Sequence, residues 1–170
     1  FNGFYCKCKL GTINFLLLKP ETFMNNSGDS VEAIISFYKL KAADLIIIHD
    51  DLDLKIGHVK LKLSGGHSGH NGLKSIHQKI GDQYSRIRIG IDRPNEKRQV
   101  SSYVLSDFTA FQKAHIEASE RYISSEIGTL LKEDYTSFIE RVRTNLSKRK
   151  DDTKESANHP DLKHSTRTSK

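Results

Sequence analysis

The stretch from Leu45 to Gly72 constrains this chain most. It opens on an apolar run, Leu45-Ile46-Ile47-Ile48, that delivers His49-Asp50-Asp51-Leu52-Asp53. It closes on Ser64-Gly65-Gly66-His67-Ser68-Gly69-His70-Asn71-Gly72. Between them His58-Val59-Lys60-Leu61-Lys62-Leu63 alternates polar and apolar side chains. A short apolar run and a period of two both specify β-strand. An acidic, His-bearing strand end and a Gly/His/Asn loop are therefore expected as neighbours in one sheet. Open α/β sheets place their chemistry outside such strand ends.

The remaining elements follow from periodicity. Residues 4–10 and 13–18 read as a hairpin around Leu10-Gly11-Thr12, and Pro20 stops it. Val31, Ile34, Ile35 and Tyr38 form one helical stripe, with Asn26 or Ser27 as N-cap and Asp29 and Glu32 near its positive end. A second helix is expected from His70 or Asn71 to Ile80, ended by Gly81. Residues 85–91 form a strand with Arg86 and Arg88 on one face and isoleucines on the other. Helices are expected at about 97–104 and 109–132. A last one carries Tyr135, Phe138, Ile139, Val142 and Leu146 as its apolar stripe. The fold expected is a single-domain α/β structure over residues 1–147. From Lys148 to Lys170 the chain is polar and basic, and is expected to be disordered.

Composition narrows the class. At 170 residues the chain can bury a core without covalent staples. Cys6 and Cys8 lie on one strand face and suit reduced thiols in a cytosolic protein. No run approaches the roughly 20 apolar residues of a membrane span, and no signal-peptide pattern is seen. Of the net charge of +6, half falls on residues 148–170. A mildly basic body agrees with a polyanionic partner.

Three constellations can carry chemistry. The glycine-rich loop follows a strand and opens a helix, so its N–H groups can hold an anion. It lacks both the Lys-Ser/Thr ending of a P-loop and the dinucleotide spacing, so the open alternatives are a tight turn and a site using His67, His70 and Asn71. Asp50, Asp51 and Asp53 admit three readings: a structural turn, a metal site with the nearby histidines, or one carboxylate that orients a histidine. Lys60 and Lys62 share one strand face and Arg86 and Arg88 another. If the two strands pair, four cations line one face beside the loop.

Thr22-Phe23-Met24-Asn25-Asn26-Ser27-Gly28, His49-Asp50-Asp51-Leu52-Asp53 and Gly66-His67-Ser68-Gly69-His70-Asn71-Gly72-Leu73-Lys74 together resemble the signatures of bacterial-type peptidyl-tRNA hydrolase, in the same order and at matching separations. The resemblance runs from about Phe1 to Leu105 and more loosely to Leu146. It implies a single α/β domain with a twisted mixed sheet flanked by helices, and hydrolysis of the ester joining a peptide to the 3′ end of tRNA, with no metal or other cofactor, by a cytoplasmic monomer that has no membrane partner. It implies that Asp50 orients a general-base histidine. Phe23, Met24, Asn25, His70 and Asn71 would contact the substrate end, Asn25 and Asn71 as catalytic amides. Lys62 and Arg88, with Lys60 and Arg86, would clamp tRNA phosphate. Neutral amides can hold an ester carbonyl or a water without titrating, which suits that role.

One feature of the family has no counterpart here: the opening segment with its Asn-Pro-Gly turn and catalytic histidine. None of the eight histidines stands in that context. The sequence opens on Phe1, and Met24 is its one methionine, so the natural N-terminus is expected to lie upstream. The chain is thus expected to carry the substrate site without the base and to be inactive alone. The rival expectations are a non-catalytic RNA-binding module and a metal-dependent esterase or nuclease using His67, His70 and Asp50.

Overall fold

In a computed structural model of the chain, residues 1–94 and 99–157 are described. The order of elements begins with a hairpin, β1 (Gly3–Leu10) and β2 (Ile13–Pro20), turned at Gly11, whose φ of +59° suits glycine. Helix α1 (Ser27–Tyr38), β3 (Ile46–Asp51), β4 (Val59–Leu63), α2 (Asn71–Ile80) and β5 (Ser85–Gly90) follow. The chain then continues through α3 (Val100–Val104), α4 (Ala110–Ser125), α5 (Ile127–Leu130) and α6 (Tyr135–Ala157). The strands make a three-stranded mixed sheet, β3-β5-β4, and the separate hairpin. The α/β single domain expected from the sequence is thus present, with its strands divided between two sheets.

Strand β5 is central. It pairs in parallel with β3 and antiparallel with β4. Its isoleucines face the later helices, where Ile87, Ile89 and Val59 pack on Ile123, Leu130, Phe138 and Val142. The opposite face carries α1 and α2, whose Val31, Ile34, Ile35, Leu73 and Ile76 form a second core with Tyr84. Leu16 and Leu18 of the hairpin and Leu45 and Ile47 at β3 pack against that same core. Among the described residues β3 has no strand on its outer edge. Ile48, within β3, is half exposed.

Two expectations need correction. The helix expected at 109–132 is interrupted at Glu126, where the backbone leaves helical geometry before α5. The break frees Ile127 and Leu130 to pack with Phe138 and Val142 instead of continuing along the axis of α4. The disordered tail expected from Lys148 overlaps α6, which continues to Ala157. The rest of that expectation, residues 158–170, lies outside the described residues, as do 97 and 98 of the helix expected at 97–104.

Glycine lets α1 and α2 meet. A Cβ on Gly28 would lie 2.3 Å from the Ser75 carbonyl oxygen. The Gly28 N–H donates to Ser75 Oγ at 2.9 Å. This close approach fixes the start of α1 against α2. Gly28→Ala should therefore cost about 1–3 kcal/mol of stability, the usual range for overpacking. Urea denaturation of the variant checks it, and an unchanged midpoint would show that the helix pair can part without loss.

Candidate active site

Asp50 is the penultimate residue of β3 and His70 caps α2, twenty positions apart, yet His70 Nε2 lies 3.0 Å from Asp50 Oδ1. The other ring nitrogen, Nδ1, accepts the Leu73 N–H at 3.2 Å. An acceptor at Nδ1 places the imidazole proton on Nε2, so His70 donates to Asp50. One side chain thus caps a helix and holds a carboxylate. The bond from His70 is the main reason the Asp50 carboxyl lies below its usual range. Asp50 keeps 37% of its side chain exposed, room enough for a second donor.

The other two carboxylates turn elsewhere. Asp51 accepts from Arg88 Nε at 2.6 Å with one oxygen and from the Asp53 N–H at 2.8 Å with the other. Burial opposes Asp51 ionisation, but Arg88 and that N–H outweigh it and keep the carboxyl low. Asp53 pairs with Arg93 at the surface. Among the described residues, no three His, Cys, Asp or Glu side chains gather as a metal cage.

His49 faces the same site differently. Its Nδ1 donates to the Asp50 carbonyl at 2.6 Å, and its ring lies edge-on to His70 with centroids 5.1 Å apart. Nε2 is buried and has no partner among the described residues. Burial pushes this imidazole down to about 4.

The glycine-rich loop is held from both ends. His70 ties its end to Asp50. At its beginning Arg86 donates to the carbonyls of Ser64, Gly65 and Gly66, at 2.5, 2.5 and 3.0 Å. Arg86 is only 2% exposed. Gly65 and Gly69 take φ of +96° and +83°, which glycine alone adopts cheaply. Within the loop His67 Nδ1 accepts the Gly69 N–H, and its ring stacks edge-on near His77.

The segment before α1 completes the cluster. Met24, Asn25 and Asn26 form a 3-10 turn, and a Cβ on Gly72 would come within 2.6 Å of Met24 Sδ and 3.0 Å of the His70 ring. Met24, His70 and the start of α2 are therefore packed together. Phe23 stands 83% exposed beside them. Asn25 and Asn71 are both at the surface. Three sequence segments thus meet around His70.

The family model for peptidyl-tRNA hydrolase matches residues 1–152. This chain belongs to the peptidyl-tRNA hydrolase family. It is 46% identical over 142 residues to the peptidyl-tRNA hydrolase of Cereibacter sphaeroides, covering 84% of this chain and 63% of that relative. It is 44% identical over 147 residues to that of Paracoccus denitrificans, covering 86% and 63%. The crystal structure of the peptidyl-tRNA hydrolase from Acinetobacter baumannii superposes with a TM-score of 0.79 at 32% identity, over 83% of this chain and 72% of that one. The chain therefore spans just under two thirds of the length of these sequence relatives.

The cations expected at a phosphate divide by depth. Strands β4 and β5 do pair, with Lys60 opposite Arg88 and Lys62 opposite Arg86. The four share a face but not a role. Lys60 is exposed and Lys62 half-buried. Arg88 is spent in part on Asp51. Arg86, expected at a phosphate, is buried and turned to the loop carbonyls, so its charge reaches a ligand only through the loop. Sequence reading missed this because an Arg/Ile alternation looks the same on a solvated strand and on a central one. The position of β5 between two helical layers is what decides.

The His49 environment predicts a pH dependence. An exposed imidazole in the unfolded chain has a pKa near about 6.5, whereas the folded one titrates at about 4. Between these values the unfolded chain takes a proton that the fold refuses. The stabilising contribution is complete above about pH 6.5 and is lost as pH falls toward 4, by roughly 3 kcal/mol in all. His77, lowered by burial and by Arg86, acts in the same direction. Chemical denaturation at pH 7 and pH 4.5 should show the fall, and His49→Asn should make it smaller. An equal fall in the variant would clear His49.

Proposed function

We propose that this chain provides the substrate site for hydrolysis of the ester that joins a peptide to the 3′ end of tRNA. The observation that carries the proposal is the His70–Asp50 pair near the end of β3, with Met24 packed beside the His70 ring at the start of α2. An exposed phenylalanine, Phe23, offers a face for base stacking. The amides of Asn25 and Asn71 offer uncharged donors to a carbonyl oxygen or a water. Lys62, Lys60 and Arg88 offer charge for phosphate, while Arg86 acts as a strut for the loop. Family membership supports the same reaction. The protein acts as a cytoplasmic monomer on this reading; among the described residues no helix is long and apolar enough to cross a membrane.

The base is the remaining part. Ester cleavage needs a group that takes a proton from water, and an imidazole oriented by a carboxylate is suited to it. His70 does not fit, because both its nitrogens are engaged. His49 does not fit either, because its free nitrogen is buried and its basicity is depressed. Asp50 can accept a second imidazole, and we infer that a histidine from outside residues 1–170 supplies the base. Residues 1–170 should then bind N-blocked aminoacyl-tRNA and cleave it barely, with or without chelator. Joining a family-like, histidine-bearing segment ahead of Phe1 should restore cleavage. Robust turnover by residues 1–170 alone would return the base to His49 or His70, which single variants would separate.

The amides and cations have their own test. In the form carrying that segment, Asn71→Ala or Asn25→Ala should lower turnover about 10²-fold, the usual loss for a positioned donor. Lys62→Ala should weaken tRNA binding by on the order of 1 kcal/mol and flatten its salt dependence. Arg88→Ala is a poorer probe, since it strands the Asp51 carboxylate. Weaker binding with an unchanged salt slope would remove Lys62 from the clamp.

A further inference from the structure

The hairpin carries the two cysteines of the chain, Cys6 and Cys8, both on β1. Side chains two apart on a strand stand on one face. Here the two sulfurs lie 3.4 Å apart as free thiols, Cys6 exposed and Cys8 partly shielded. The contact is an S–H···S hydrogen bond, since a disulfide would draw the sulfurs to about 2.05 Å. Leu17 stands opposite Cys6 and Phe15 opposite Cys8. Lys19 stands opposite Phe4, one pair further along the same face. From Phe1 to Pro20 the chain holds Lys7, Lys9 and Lys19 and no carboxylate. The hairpin therefore draws anionic reagents rather than repelling them.

The two sulfurs are not equivalent. The hydrogen bond with Cys6 is the main reason the Cys8 thiol lies above its usual range, so Cys8 holds the shared proton and the Cys6 sulfur accepts it. Cys6 is also the one open to solvent. Access thus makes Cys6 the first sulfur to meet a reagent and leaves Cys8 poised behind it. The strand itself can yield. Among the described residues β1 pairs with β2 alone, so its outer edge is free to move without breaking a second ladder. Cα atoms two residues apart on a strand are about 6.7 Å apart, near the long end of the span a disulfide accepts. Closing a bridge there pinches the strand, and a bridge made under such strain is readily reduced.

We propose that Cys6 and Cys8 form a modification site, a dithiol that closes to a disulfide by exchange with small disulfides and reopens in excess thiol. The Cys6 thiolate attacks one sulfur of the small disulfide, whose S–S bond breaks. One small thiolate leaves, and a mixed disulfide stands on Cys6. Cys8 then loses its proton to solvent and attacks the Cys6 sulfur, expelling the second small thiolate. Two protein S–H bonds and one small S–S bond become one protein S–S bond and two small thiols. The small disulfide is thus the oxidant, reduced by the two electrons that the cysteines give up. With no third cysteine in the chain, nothing else within it competes for the mixed disulfide.

The test uses the full 170-residue chain and oxidised glutathione, an anionic disulfide. After incubation under native conditions, free thiols are blocked, intact mass is recorded, and the chain is digested with trypsin. Lys7 lies between the two cysteines, so cleavage after it separates Phe1–Lys7 from Cys8–Lys9 unless a bridge joins them. The joined pair, in a monomer that has lost two hydrogen atoms, should be the main product. Excess reduced glutathione should return it to two free thiols. Cys8→Ser should stop at a stable glutathione adduct on Cys6. Cys6→Ser should take up glutathione about ten-fold more slowly, because the shielded sulfur must react first. Circular dichroism checks both variants, and the measurement on the unaltered chain stands without them. Glutathione on both sulfurs at once, cross-linked dimers in place of the internal bridge, or no reaction would overturn the proposal. A bridge that resists excess glutathione, or a Cys6→Ser chain that reacts as fast as Cys8→Ser, would overturn it too.

Discussion

A buried guanidinium is costly when no carboxylate meets it, and Arg86 has no such partner among the described residues. Its charge is met instead by three carbonyl oxygens from consecutive residues, Ser64, Gly65 and Gly66. Such an arrangement is possible only if the loop passes close over β5 with its peptide groups turned inward. Glycine at Gly65, where φ is +96°, permits that turn. The interaction works in both directions. The loop makes burial of the charge tolerable, and the charge holds the loop in a shape its own residues do not prefer. Charge-assisted bonds of this kind are about twice as strong as neutral ones. The ring of Tyr84 beside the guanidinium adds a cation–π interaction.

The far end of the loop is held by different physics. His70 uses one nitrogen to accept a helix N–H and the other to donate to Asp50. These two bonds require a single tautomer, so a local capping preference becomes a constraint on the carboxylate at the end of β3. Glycine at 72 and at 28 then brings Met24 and the start of α1 to the same place by steric allowance alone. The result is a carboxylate whose orientation is set by the fold itself.

Much of this was legible in the sequence, and the reasons are specific. The strand-loop-helix order from Leu45 to Ile80 follows from a switch in hydrophobic period from two to 3.6, and the observed α2 begins at Asn71 and is followed by Gly81 as expected. The neighbourhood of Asp50 and the Gly/His/Asn loop followed from topology. What could not be read was which polar group each side chain would choose. Asp51 and Arg88, or His70 as cap and donor at once, are choices made by distances that no periodicity encodes. The split of the strands into two sheets was hidden for a similar reason. Residues 4–18 read as strands in either arrangement, because pairing partners outside a hairpin are set by tertiary packing.

The same logic explains why two basic residues one alternation apart have unequal consequences. Arg86 and Arg88 share a strand face, yet one lies over the loop and the other beside Asp51. Moving along β5 by two residues carries a side chain about 7 Å, from the start of the loop toward the carboxylate cluster. At the first place a positive charge can be satisfied by oriented dipoles and stay hidden. At the second it is satisfied by a negative charge and stays partly open to solvent. Arg88 is engaged by Asp51 at the rim, while Arg86 lies beneath the loop. Charge on this side of the sheet is thus divided between a guanidinium hidden against the loop and cations left open to solvent, and the division is set by depth rather than by residue type.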